Sequence, residues 1–68
     1  MEQVKIKDEY ITLGQLLKIV DLVSSGGETK IFLSENKILV NGKEDNRRGK
    51  KLYKDDVIEI LGVSYIIC

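Results

Sequence analysis

The sequence predicts an α+β fold, two packed helices against a small, mostly antiparallel sheet. Three observations carry this. Apolar residues recur at helical spacing between Thr12 and Val23 behind a capping signal. A second capping signal opens a shorter helix at Ser25. The apolar runs on either side of these helices alternate with a period of two or flank turn residues, which is how half-buried strands read.

Val4 and Ile6 alternate with Gln3, Lys5 and Lys7, a short first strand. Asp8-Glu9-Tyr10 leads out of it. Thr12 is a good N-cap, and Gln15 three residues later completes a capping box. Ile11 and Leu16 suit the matching hydrophobic staple. Leu13, Leu16, Leu17, Val20 and Val23 then form one apolar stripe, which predicts a helix over Thr12 to Val23. Leu22 falls on its polar side. Ser24-Ser25-Gly26-Gly27 breaks this helix, and Ser25 with Glu28 forms a second capping box. Thr29, Phe32 and Leu33 share the inner face of the second helix. Glu28, Lys30, Ser34 and Glu35 look outward, and Ile31 points away from Phe32. Asn36 is expected to end the helix in a left-handed conformation.

Ile38 to Val40 is the next strand. Asn41-Gly42 suits a two-residue type I′ hairpin turn, because both residues tolerate positive φ. A charged segment follows, with Arg47, Arg48, Lys50 and Lys51 around Gly49. The chain turns again near Lys54-Asp55-Asp56. Val57 to Leu61 reads as a strand with Glu59 outward, Leu61-Gly62 bends the chain, and Val63 to Ile67 is the last strand. The first and last strands are expected to pair and close the sheet.

Sixty-eight residues make one domain. A chain this short buries only about 60% of its unfolded surface, leaving little room for an enclosed active site. There is no histidine, which removes the usual general base and the commonest metal ligand. No catalytic residues, no metal and no cofactor are expected. Cys68 is the only cysteine, so no internal disulfide forms, as suits a reducing compartment. No apolar run reaches membrane-spanning length and Met1 to Asp8 is no signal peptide, so a cytoplasmic protein without membrane contact is expected. A monomer is the expected state.

Formal net charge is zero, but the charge is segregated. Lys43 to Lys54 holds six cations (Lys43, Arg47, Arg48, Lys50, Lys51, Lys54) against Glu44 and Asp45. Arg47-Arg48-Gly49-Lys50-Lys51 therefore reads as a phosphate-binding loop, in which release of counterions from a polyanion drives binding. The alternative is a solvated hairpin loop. Gly26-Gly27 at a helix start offers N–H groups to a phosphate, or is simply a tight turn. Lys30 either joins the same surface or is a solvated helix residue. Tyr53 either stacks on a base or packs as a lid on the core. Asp55-Asp56 reads as a turn rather than an acid–base pair.

This order of pieces resembles the S-four-type RNA-binding domain, the αL motif. The likeness rests on the capped helix Thr12 to Val23 and the start Ser25-Gly26-Gly27-Glu28-Thr29-Lys30. It continues through Ile38-Leu39-Val40-Asn41-Gly42 and the ending Asp55-Asp56-Val57-Ile58-Glu59-Ile60. The insert Arg47-Arg48-Gly49-Lys50-Lys51-Leu52-Tyr53 is similar to that of the small stand-alone YaaA-like branch. The likeness spans about residues 10 to 61. It implies non-catalytic binding of structured, often ribosomal, RNA, with a place in ribosome assembly. Carried over residue by residue, the RNA surface would use Gly26, Gly27, Lys30, Arg47, Arg48, Lys50 and Lys51. Many relatives have a basic residue near the start of helix one and others where Gly26 and Gly27 stand; this chain has none there. The burden moves to the loop. A second function class stays open: a protein-interaction module whose basic loop docks on an acidic partner, ribosomal or other.

Overall fold

Strand β1 (Glu2–Val4) opens the chain in the computed structural model, which describes residues 1–68. Strand β2 (Tyr10–Thr12) runs directly into helix α1 (Leu13–Ile19), and α2 (Gly26–Glu35) follows. Strands β3 (Ile38–Val40), β4 (Lys43–Glu44), β5 (Lys51–Tyr53), β6 (Val57–Ile60) and β7 (Val63–Ile67) complete it. The larger sheet has the order β1-β7-β6-β3-β4, and β2 pairs with β5 in a separate two-stranded ribbon. All pairs are antiparallel except β1 with β7. The α+β expectation holds, as does the pairing of the first and last strands, although the sheet stays open with β1 and β4 as its edges. No helix is long and apolar enough to cross a membrane.

Thirteen apolar side chains form one buried cluster between the helices and the strands. Leu13, Leu16 and Leu17 of α1 and Leu33 of α2 meet Ile38, Val40, Leu52, Ile58, Ile60 and Ile67 there. As the outward face of α2 required, Glu28, Lys30, Ser34 and Glu35 are exposed, and Ile31 is exposed with them.

Helix α1 stops earlier than the apolar stripe implied. Asp21 takes φ 62°, its N–H donates to Lys18 O (3.1 Å), and the Leu22 N–H donates to Leu17 O (2.9 Å). This is a Schellman ending with aspartate, a residue that tolerates the left-handed region, in the usual glycine place. It explains Leu22, which a longer helix would leave on the polar side. The reversal returns Leu22 to the edge of the core and buries Val23 from outside the helix.

Two further expectations are corrected. Asn36 is extended (φ −128°, ψ 139°), not left-handed; its N–H and its Nδ2 both donate to Phe32 O, at 2.9 and 3.1 Å. A side-chain bond ends α2, so no reversal of the backbone is needed. The box at α2 is also displaced. Ser25 Oγ accepts from the Glu28 N–H (3.3 Å), but the Glu28 carboxylate reaches back to the Ser24 N–H (3.3 Å) and hydroxyl rather than to the Ser25 N–H. The box at α1 is complete, with Thr12 and Gln15 exchanging both bonds.

The turns hold the strands in register. Asn41 (φ 52°) and Gly42 (φ 84°) form the expected primed turn between β3 and β4. Asn41 also binds the entry to β6: its Nδ2 donates to Asp56 Oδ1 (3.0 Å), and its Oδ1 accepts from the Val57 N–H (2.9 Å). Asp56 Oδ2 accepts from the Tyr53 N–H (2.8 Å), so this carboxylate is turn structure. Leu61 (φ 51°) and Gly62 (φ 78°) form a second two-residue turn, from β6 to β7.

Candidate nucleic-acid interface

A helix leaves its first backbone N–H groups without partners inside the helix. In α1 the basic segment supplies them. The Leu13 N–H donates to Lys50 O (2.9 Å) and the Gly14 N–H to Arg48 O (2.9 Å). Thr12 Oγ1 takes the third, from Gln15 (3.2 Å). The segment is therefore no free arc. It is docked by its own carbonyls on a helix end, and it is tightened internally where the Lys50 N–H donates to Arg47 O (3.1 Å).

This docking needs Gly14. A Cβ there would lie 3.3 Å from Arg48 O and 3.4 Å from Thr29 Cγ2. Glycine inside a helix costs about 1 kcal/mol relative to alanine, and here it lets the loop and α2 approach together. Sequence reasoning missed this role. The glycine inside an otherwise regular helical pattern was the available signal.

The cations divide into groups. Lys30 of α2 and Arg48 of the loop line one cleft, with Leu33, Ser34 and Asn46. Arg47, Gly49, Lys50, Lys51 and Tyr53 line another. Lys51 belongs to β5 rather than to the loop, opposite Thr12 of β2. Gly26 and Gly27 are exposed at the start of α2 but line neither cleft. A carboxylate already occupies the first turn of that helix. The Ser24 hydroxyl and N–H bonded to Glu28 hold its pKa below the usual carboxylate value.

Arg47 differs from its neighbours. Its Nε and Nη2 donate to Asp45 Oδ1 (3.1 Å) and Oδ2 (2.8 Å), and its backbone N–H also donates to Oδ1 (2.9 Å). The guanidinium bonds lower the Asp45 pKa, and the Arg47 pKa is raised in turn. One of the three loop cations, Arg47, Arg48 and Lys50, thus carries its own counterion. Asp45 is the half-buried member of the pair, and the guanidinium stays largely in water.

The β2–β5 ribbon adds Tyr10, which the sequence reading left out, beside Lys51 and Tyr53, which it had weighed. Ile11 and Leu52 face the core, so Tyr10, Tyr53 and Lys51 stand on the outer side. The tyrosine rings lie 5.8 Å apart between centroids, and Lys51 Nζ sits 4.9 Å from the centre of the Tyr10 ring. The period-two pattern Tyr10-Ile11-Thr12, mirrored in Lys51-Leu52-Tyr53, was the signal.

Residues 4–68 match the S4 domain family. The chain is an S4-domain protein. The S4 domain is an RNA-binding module, as the sequence resemblance implied. This S4-domain chain is 58% identical over 59 residues to the "Probable ribosome maturation protein RlbA" of Bacillus subtilis (strain 168), covering 87% of this chain and 83% of that one. Within this S4 domain, the loop cations stand beside the start of α1, where Leu13-Gly14-Gln15 itself has no charge.

Proposed function

We propose that this S4-domain protein binds structured ribosomal RNA without catalysing a reaction, in the assembly of ribosomes. The observation that carries the reading is the docking of the basic segment on α1. Arg48 and Lys50 are held by backbone bonds at a helix start, so their side chains are presented without ordering a free loop on binding. Cations positioned in advance lose less entropy when a polyanion arrives. Lys30 extends the surface onto α2 beside Arg48, which supports reading both helices and the basic loop beyond β4 as the αL motif. The relative named for ribosome maturation supports ribosomal RNA as the target.

The test is a salt titration of affinity for ribosomal RNA fragments, with the wild type against an Arg48→Gln, Lys50→Gln, Lys51→Gln variant. Each phosphate contact contributes about −0.7 to −0.9 to the slope of log affinity against log salt. The variant's slope should be flatter by roughly two to three units. Side-chain changes leave the carbonyls of Arg48 and Lys50 in place, so the melting midpoint should move little. Equal slopes with both proteins folded would sink the proposal and leave docking on an acidic protein as the better reading.

A further inference from the structure

The outer face of the β2–β5 ribbon does nothing for the core. Ile11 and Leu52 fill that need from the other side, at 9% and 0% exposure. Tyr10 and Tyr53 nevertheless stand at 37% and 43% exposure, directly opposite each other across the two strands. Their rings are tilted by 50° rather than stacked, so neither closes off the other's face. Tyr53 opens into the cleft shared with Arg47, Gly49, Lys50 and Lys51. An exposed aromatic ring beside positioned cations is the arrangement that takes a flat, uncharged ring attached to a phosphate.

We infer that Tyr10 and Tyr53 form a stacking platform for an unpaired nucleobase whose own phosphates lie on Lys50 and Lys51. The inference rests on the proposed RNA reading and sharpens it. The preferred ligand is RNA with a loop or bulge next to a paired stem, not a continuous duplex, because paired bases have no free face to offer. Tyr53 takes the base and Tyr10 supports it from the neighbouring strand. Lys51, already over the Tyr10 ring, reaches the phosphate from the same side.

The two contributions separate by their response to salt. Phosphate contacts release counterions and set the salt slope. Stacking releases none, so losing it lowers affinity at every salt concentration by the same factor. The experiment uses a ribosomal RNA stem-loop in two forms, one with its loop bases and one with abasic loop residues. Stacking is worth about 5- to 150-fold per base, and wild type should prefer the intact loop by a factor in that range. Tyr10→Leu with Tyr53→Leu should erase the preference while keeping the salt slope and the affinity for the abasic form. Tyr10→Phe with Tyr53→Phe keeps both rings and should keep the preference; it also guards against a folding defect in the leucine variant. Equal binding of the two RNAs by wild type would overturn the platform while leaving RNA binding intact. An undiminished preference in the leucine variant would overturn it as well. Binding of neither RNA would overturn the RNA reading itself, and the platform with it.

Discussion

Leu61 is the least comfortable residue in the chain. It is exposed and left-handed, at φ 51°, in a turn whose next residue is Gly62. The left-handed conformation costs an ordinary L-residue roughly 1–2 kcal/mol, and asparagine tolerates it far better. Leu61→Asn should therefore raise stability by about 1 kcal/mol, read as a higher urea midpoint with an unchanged m value. Asp45 offers a second single-residue test. Asp45→Asn keeps an oxygen for the Arg47 N–H but removes the charge facing the guanidinium. Arg47 then becomes available, and the salt slope for RNA should steepen by about 0.7 to 0.9. An unchanged slope would mean that Arg47 faces no phosphate. The pH dependence follows from the same pair. The Asp45 pKa is lowered on folding, so its contribution is complete above the ordinary carboxylate value and fades as pH falls through the depressed one. The stability difference between wild type and Asp45→Asn should shrink over that acid range, as followed by thermal melts.

At the scale of elements, the joint between the basic segment and α1 is the feature most open to a single change. Gly14→Val would push branched methyl groups toward Arg48 O, where even a Cβ is tight. Overpacking of this kind costs about 1–3 kcal/mol, and the loop should detach. Melts report the first effect; faster amide exchange at Leu13 reports the second. Normal exchange there would mean that the loop moves with the added bulk and the joint survives. The elements differ in how far their sequences announce them. The box Thr12–Gln15 and the turn Asn41-Gly42 were legible because each depends on residues three apart or adjacent. The β2–β5 ribbon was not, because its three-residue strands lie about 40 positions apart and neither has a turn to announce the pairing. For the same reason Lys51 read as loop. The early stop of α1 was hidden because aspartate, not glycine, marks it.

For the whole molecule, segregated charge marks where the cations gather and says little about how each of them is held. The linear run of cations was visible, and so was the chance that Lys30 joins it. Nothing in the run of charges announced that Asp45 would neutralise Arg47, and the capping signal that placed Glu28 at the start of α2 did not announce that its carboxylate would reach Ser24. Both depend on side chains whose partners are chosen by the turn they sit in.

The parallel pairing of β1 with β7 sets an order of events in folding. Glu2 pairs with Tyr65, and Val4 with Ile67, so this contact closes almost the entire chain into one loop. Closing so long a loop before other contacts exist costs the most entropy and returns the least. The β6–β7 hairpin and the β3–β6 pair form across far shorter separations. They are expected to assemble first and to offer β7 as a finished edge. β1 then joins as the last strand, which puts it on the native side of the folding barrier. Val4→Ala should consequently speed unfolding and leave the folding rate nearly unchanged, which stopped-flow measurement of both arms would show. During synthesis, β1 leaves the ribosome well before β7 and waits, unpaired, for that partner to follow.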